Sequence, residues 1–187
     1  MNVMDVIRNR RSVSRMLDEA ISRSDMEDIL EAGLWAPNHR FTQPWKFHVV
    51  TGDARRDAGE VLAASALTDS ELRAPDMEQK AKKGRSYFLQ APVVVVVSIS
   101  RSEDEVTDNE DYATGAMAAQ NMMLAAWSKG IASKLRTGEY SFSTEIKDHF
   151  GIPSENRIVG FLFLGYPADR AVPPARQRDD GNVIWVS

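Results

Sequence analysis

Apolar residues along this chain fall into stretches of helical spacing and two stretches that are apolar throughout. Residues 3 to 9 predict a short first helix. A second helix is predicted to begin at Ser24, where the pattern SDME resembles a capping box closed by Glu27. It must end by Ala36, because Pro37 disfavours helical backbone in the residue before it. Its predicted buried stripe is Met26, Ile29, Leu30 and Leu34.

Two segments predict strands that are buried on both faces. The first is APVVVVVSIS at 91 to 100, and the second is RIVGFLFLG at 157 to 165. Two shorter strands are predicted in KFHVVTG, which ends at Gly52, and in IASKLRTG at 131 to 138. These four segments predict a central sheet.

Helices are predicted in the remaining segments. Residues 53 to 89 favour two helices and a loop, and residues 109 to 129 favour a long helix that ends at Gly130. The apolar residues of the long helix spread around it, so it should be central or lie in a subunit interface. A further helix should begin at Ser141 or Ser143 and end near Gly151. Residues 166 to 187 favour an extended arm with a terminal strand in VIWV, and the whole chain, 1 to 187, predicts a single α+β domain.

Composition narrows the function. The 187 residues are 43% hydrophobic, enough for a sizeable core, and the net charge of −4 argues against nucleic acid as the main partner. Cysteine is absent, which excludes disulfides and thiolate metal sites. We see no signal peptide and no stretch that could span a membrane, so a cytoplasmic protein is expected.

The segment RNRRSVSR, residues 8 to 15, contains four arginines and two serines at a helix end. Such residues can bind a phosphate through charged and hydroxyl hydrogen bonds. The alternative is a solvated basic surface at a helix C-terminus, where cations are favoured in any case.

The histidines and aspartates give weaker signals. His48 and His149 lack partners at metal-ligand spacing and are interpreted as structural, and no metal site is predicted. His39 follows Pro37 in the irregular loop LWAPNHRFTQPWKF, where it could serve a site or stabilise the loop. The aspartates at 104, 108, 111 and 179 to 180 are interpreted as solvated charges or helix N-terminal acids. No hydrolase motif or glycine-rich phosphate loop is present.

The segment LRTG, residues 135 to 138, ends a strand that follows the long helix. Strand ends are favoured ligand positions in sheets that helices cover. A plain turn, in which Gly138 supplies a positive φ angle, is the alternative.

Four segments in this order, RRSVSR, APNHRFTQPWKF, LRTG and IVGFLFLGYP, resemble the nitroreductase family of FMN-dependent oxidoreductases. The similarity runs from about residue 2 to residue 167 and is closest to the short single-domain NAD(P)H nitroreductases. It implies an α+β fold with a mixed, mainly antiparallel sheet, and an obligate homodimer with two FMN sites at the subunit interface.

The resemblance also implies which residues bind FMN. The arginine–serine segment of one subunit would hold the phosphate and ribityl chain, and the loop after the second helix would come from the other subunit. LRTG would lie along the edge of the isoalloxazine ring, and no catalytic side chain is assigned. The implied cofactor-binding residues are Arg10, Arg11, Ser12, Trp35, Pro37, Asn38, His39, Leu135, Arg136 and Thr137.

One position departs from the family pattern. Many relatives have a lysine two residues after the serine of the arginine–serine segment, near the flavin pyrimidine, whereas this chain has Ser14. Stabilisation of the reduced flavin anion is therefore expected to fall to Arg15 or Arg136.

The activity implied is hydride transfer from NAD(P)H through FMN to an electron-poor acceptor, such as a nitroaromatic or a quinone, in a ping-pong scheme. One alternative is an FMN-binding carrier or sensor without turnover. Another is a plain dimeric α+β protein whose arginines solvate a helix end.

Overall fold

The computed structural model describes residues 2–71, 73–169 and 180–186. Six α-helices and four strands lie in these ranges, joined by short 3₁₀ turns. The helices are α1 (Val3–Asn9), α2 (Arg23–Leu34), α3 (Ala54–Leu67), α4 (Ala74–Tyr87), α5 (Glu105–Ser128) and α6 (Thr144–His149). The strands are β1 (Trp45–Thr51), β2 (Val93–Ile99), β3 (Ala132–Arg136) and β4 (Arg157–Gly165).

The four strands form one antiparallel sheet in the order β1-β2-β4-β3. The two apolar segments are the two central strands, and all their residues except Arg157 are buried, as a position between two helical layers requires. The α+β fold with helices over a mainly antiparallel sheet is therefore confirmed. In the described ranges, parallel pairing is limited to one bridge, between Ser12 and Ser133.

Two hydrophobic cores lie on the two faces of the sheet. One face packs against α2 and α5, through residues such as Ile29, Met122 and Leu162. The other packs against α3 and α6 and includes the aromatic side chains of Tyr87, Phe88, Phe161 and Phe163. Helix α5 was predicted to be central or to lie in a subunit interface, and in the structure it is buried along the side that packs on the sheet and α2.

Some local predictions were wrong. Helix α2 is capped by Ser22, whose Oγ accepts from the N–H of Asp25 at 3.1 Å, while Glu27 pairs with Arg23. Leu34 is 54% exposed, because the helix ends there and Gly33 occupies the buried position. Helix α5 begins at Glu105, four residues before its predicted start, because Asp104 caps it.

The tail also differs from its prediction. Residues 183–186 form no strand, and Asp180–Asn182 form a 3₁₀ turn. The tail residues 170–179 and Ser187 lie outside the described residues, so the predicted arm is seen in part.

Candidate functional site

The arginine–serine segment lies along the outer edge of β3. The N–H of Val13 donates to the carbonyl of Ser133 at 3.1 Å. The segment then crosses to the residues after β4, where the N–H of Leu17 donates to the carbonyl of Tyr166 at 2.8 Å. These bonds hold the backbone of residues 12 to 17 against the strand that ends in LRTG, so two of the predicted site segments are neighbours.

The two arginines that begin this segment lie at the C-terminus of α1. Arg10 is the C-cap and is partly buried. Nη1 of Arg11 donates to the carbonyls of Arg8 and Arg10, both at 2.7 Å, which satisfies carbonyls that the helix end leaves open. Nε of Arg11 is buried and has no hydrogen-bond partner among the described residues. The side chain of Arg11 therefore satisfies the open carbonyls at the end of α1 and keeps one unpaired N–H. Ser12 beside it is exposed.

The LRTG segment closes β3 with a turn. Leu135 packs against the core on the α5 side of the sheet, and Arg136 points to the opposite side. Gly138 has a φ angle of +122°, which favours glycine, so the predicted turn is present. Thr137 is exposed between them.

Arg136 is held by its neighbours. Its guanidinium lies 4.4 Å from the ring centroid of Tyr87, and Nη1 donates to Oε1 of Gln90 at 3.1 Å. Burial raises the pKa of Tyr87 to about 12, against the opposing effect of Arg136. Tyr87 therefore stays a neutral phenol, and its ring face serves as a platform for the cation.

The loop between α2 and β1 is strained. Arg40, Phe41 and Gln43 all have positive φ angles, of 54°, 55° and 44°. Each such residue costs about 1–3 kcal/mol and persists only where the surroundings enforce it, most often at ligand and active sites. Trp35, which ends α2, is 78% exposed, and Phe41 is 87% exposed. The loop thus presents two aromatic rings to solvent on a backbone that the fold holds out of its relaxed state.

Three contacts anchor this loop to α5. The hydroxyl of Thr42 donates to Oδ1 of Asp111 at 2.7 Å, and Thr114 donates to the carbonyl of Pro37 at 3.2 Å. Nδ1 of His39 lies 2.7 Å from Oε2 of Glu110. Within the loop, Oδ1 of Asn38 accepts from the N–H of Gln43 at 3.2 Å.

Within one protomer the loop lies far from the arginine–serine segment. It leads into β1, at one edge of the sheet, while Ser12 lies on the outer side of β3 at the other edge, four strand spacings or about 19 Å away. The two are also at opposite ends of β4. Trp45 is in register with Ile99 and so with Arg157 at the start of β4, whereas Ser133 is in register with Leu164 near its end.

The structural roles of two buried aspartates of α5 were missed from the sequence. Asp108 and Asp111, which were interpreted as solvated or helix-end acids, are 6% and 5% exposed. Asp108 pairs with Arg157 at 3.0 Å and with Arg101 at 3.4 Å. Helical spacing could have found them, because they continue the buried stripe of α5. That stripe runs on through Gly115, Ala118 and Met122.

The described residues also bear on other kinds of site. They contain no cluster of three or more His, Asp or Glu side chains that could hold a metal ion. Within the same ranges, no helix is long and apolar enough to cross a membrane.

A comparison with models of protein families identifies the family of the chain. The model described as the nitroreductase family matches residues 7–166. The chain belongs to the nitroreductase family. The match begins within α1 and ends just after β4, so it includes both site segments at the β3 edge as well as the strained loop.

Relatives match this nitroreductase over nearly its whole length. YfhC of Bacillus subtilis, whose name assigns it provisionally to the NAD(P)H nitroreductases, is 30% identical over 175 residues, covering 93% of this chain and 88% of its own. YdjA of Escherichia coli K12, named in the same way, is 31% identical over 172 residues, which is 91% of each chain.

Solved structures agree with the fold. A nitroreductase-like family protein from Bacillus cereus superposes with a TM-score of 0.86 at 26% identity, covering 100% of this chain and 96% of its own. A nitroreductase with bound FMN from Bacteroides fragilis gives a TM-score of 0.78 at 25% identity, with 100% of both chains covered.

Proposed function

We propose that this protein is an FMN-dependent oxidoreductase that moves a hydride from NAD(P)H to an electron-poor acceptor, such as a nitroaromatic or a quinone. The observation that carries the proposal is the edge of β3, where the arginine–serine segment is hydrogen-bonded to the strand that ends in LRTG. Support comes from the family match and from the FMN held by the relative from Bacteroides fragilis.

The side chains at this edge fit FMN. A phosphate needs charged and hydroxyl donors, and Arg10, Arg11 and Ser12 offer them at one end of the segment. The Nε–H of Arg11 has no hydrogen-bond partner among the described residues, so it could donate a hydrogen bond to a phosphate oxygen. A flat ring needs a rigid wall, and the backbone from Leu135 to Thr137 supplies one at the end of β3.

When bound, FMN supplies hydride acceptance and donation, which no side chain can perform. The protein would hold the phosphate with Arg10 and Ser12 and align the ring along residues 135 to 137. Proton delivery is assigned to solvent, since Ser12, Ser14 and Thr137 at the edge of β3 are all exposed.

We infer that the active unit is a homodimer in which the loop of one subunit covers the edge of β3 of the other. The loop and the arginine–serine segment cannot meet within one chain, as their places at opposite edges of the sheet show. In a second copy, Trp35, Pro37, Asn38 and His39 would lie against the ring. The exposed Trp35 and Phe41 and the exposed Val3, Met4 and Ile7 of α1 are apolar surfaces that such an interface would bury.

The test is the visible spectrum of the purified protein, followed by anaerobic addition of NADH and, separately, NADPH. Flavin absorbance that bleaches on addition and returns when a nitroaromatic or quinone is supplied is the expected result. Bound flavin that neither nucleotide bleaches would support a carrier or sensor instead. A protein that binds no FMN when it is supplied would refute the proposal.

A further inference from the structure

The sequence leaves two candidates for stabilising the reduced flavin, and the structure engages both elsewhere. Nη1 of Arg15 lies 2.9 Å from Oδ2 of Asp169, in an exposed ion pair. Arg136 lies over the ring of Tyr87 and donates to Gln90, on the face of the sheet opposite α5. In the described part of the chain, neither guanidinium forms a hydrogen bond with Ser14.

A third cation lies at the segment itself. Lys134 is the third residue of β3, and its Nζ donates to Oγ of Ser14 at 3.0 Å. Its side chain is partly buried, and it takes part in none of the ion pairs found among the described residues. An ammonium has three N–H donors, and the hydroxyl of Ser14 accepts from one of them.

The place of this ammonium follows from the backbone pairing. Ser12 is bridged to Ser133 in a parallel register, so Val13 comes level with Lys134 and Ser14 lies one residue further along. The long side chain of Lys134 can then reach across to Ser14, the position at which many relatives have a lysine. The charge beside residue 14 therefore comes from β3 instead of from residue 14 itself.

We propose that Lys134 supplies the positive charge that stabilises the reduced flavin ring at its pyrimidine edge, and so sets the reduction potential of the site. The inference rests on the proposed FMN function. Uptake of two electrons and one proton by FMN leaves one negative charge, spread over N1 and O2 of the ring. A nearby ammonium stabilises that anion more than the neutral oxidised ring.

The experiment is an anaerobic measurement of the two-electron reduction potential of the FMN-loaded protein against a reference dye. Four proteins are compared: wild type, Lys134→Gln, Lys134→Arg and the control Lys83→Gln, which removes an exposed lysine of α4. Fluorescence titration gives the Kd of oxidised FMN for each, so that binding and redox effects are separated.

In Lys134→Gln, we expect the ratio of affinities for reduced and oxidised FMN to fall about tenfold or more. For a two-electron couple this corresponds to a reduction potential about 30 mV more negative. Its Kd for oxidised FMN should change far less. Lys134→Arg keeps the charge and should stay close to wild type, as should Lys83→Gln. The double variant Lys134→Gln/Ser14→Lys, which moves the ammonium to the arginine–serine segment, should recover the potential.

The outcomes separate this inference from the proposed function. FMN bound to Lys134→Gln at the wild-type potential would overturn the inference while leaving the oxidoreductase proposal intact. Wild-type protein that binds no FMN would overturn both. If the glutamine variant does not fold, Lys134→Met, which keeps the apolar stem of the lysine, replaces it, and the same potential shift is required of it.

Discussion

The hydrogen bond between Thr42 and Asp111 should hold the strained loop in place, and Thr42→Val removes it with little change of shape. The donor–acceptor distance is 2.7 Å and the carboxylate is 5% exposed, so the valine leaves a buried charge without this donor. Hydrogen bonds to charged groups contribute about 1.5–3 kcal/mol. Because Thr42 is itself exposed, water can partly replace its hydroxyl, and we expect a loss of about 1.5–2 kcal/mol.

The assay is urea unfolding at a fixed protein concentration, because the stability of the proposed dimer would depend on concentration. The midpoint should fall while the slope of free energy against urea stays the same. Thr68→Val is the matched control, since that hydroxyl bonds neutral carbonyls at the end of α3 and should cost about 1 kcal/mol or less.

A double-mutant cycle with Asp111→Ala isolates the pair. We expect the double variant to be less destabilised than the sum of the two single variants, because each single change already breaks the bond. Additive effects would refute the view that this contact anchors the loop. So would a loss of stability in Thr42→Val that is no larger than the loss in the Thr68→Val control. Affinity for FMN should fall in parallel with loop stability.

Three further results are expected. Arg10→Ala should weaken FMN binding by about 1.5–3 kcal/mol in a fluorescence titration, and unchanged affinity would remove Arg10 from the phosphate site. In Gly115→Ala, the added Cβ would lie 2.7 Å from Val159 and 2.8 Å from Ile99. The free energy of unfolding should fall by about 1 kcal/mol or more, because overpacking costs about 1–3 kcal/mol and exceeds the gain in helix propensity. Burial, with a smaller effect of Lys46, lowers the pKa of His48 below its usual 6.5. The contribution of neutral His48 to the free energy of unfolding is therefore complete above pH 6.5 and is lost as the pH falls from 6.5 towards the pKa of the folded state. His48→Phe should flatten that acid slope in urea unfolding; an unchanged slope would assign it to other groups.

The sequence predicted the sheet well because its strands carry unmistakable patterns. Five consecutive valines can be stable only between two apolar layers, and β2 is buried at every position. Helix ends were predicted less well, since serines lie at both 22 and 24 around the start of α2, and the cap is Ser22 because its Oγ accepts from the N–H of Asp25. Asp104 was interpreted as a solvated charge or a helix N-terminal acid, and it caps α5, which begins at Glu105 and not at the predicted residue 109.

The segments that form the site could be predicted from the sequence, but their arrangement in space could not. The pairing of Ser12 with Ser133 links residues far apart in sequence, and no local pattern specifies it. The same holds for Asp111, which looks like any acid near a helix start until the loop above it is in place. Lys134 was overlooked because its role depends on that pairing as well.

The central claim is that each FMN site is built from two subunits, and subunit mixing tests it most directly. Arg10→Ala and His39→Ala are unfolded together, refolded as a mixture, and titrated with FMN at a concentration at which neither variant alone retains it. If Arg10 and His39 serve one site from different chains, each hybrid dimer regains one intact site, and random pairing restores about one quarter of all sites. If both residues serve a site within their own chain, every site keeps one defect. A mixture that binds no more FMN than its parents would contradict the account.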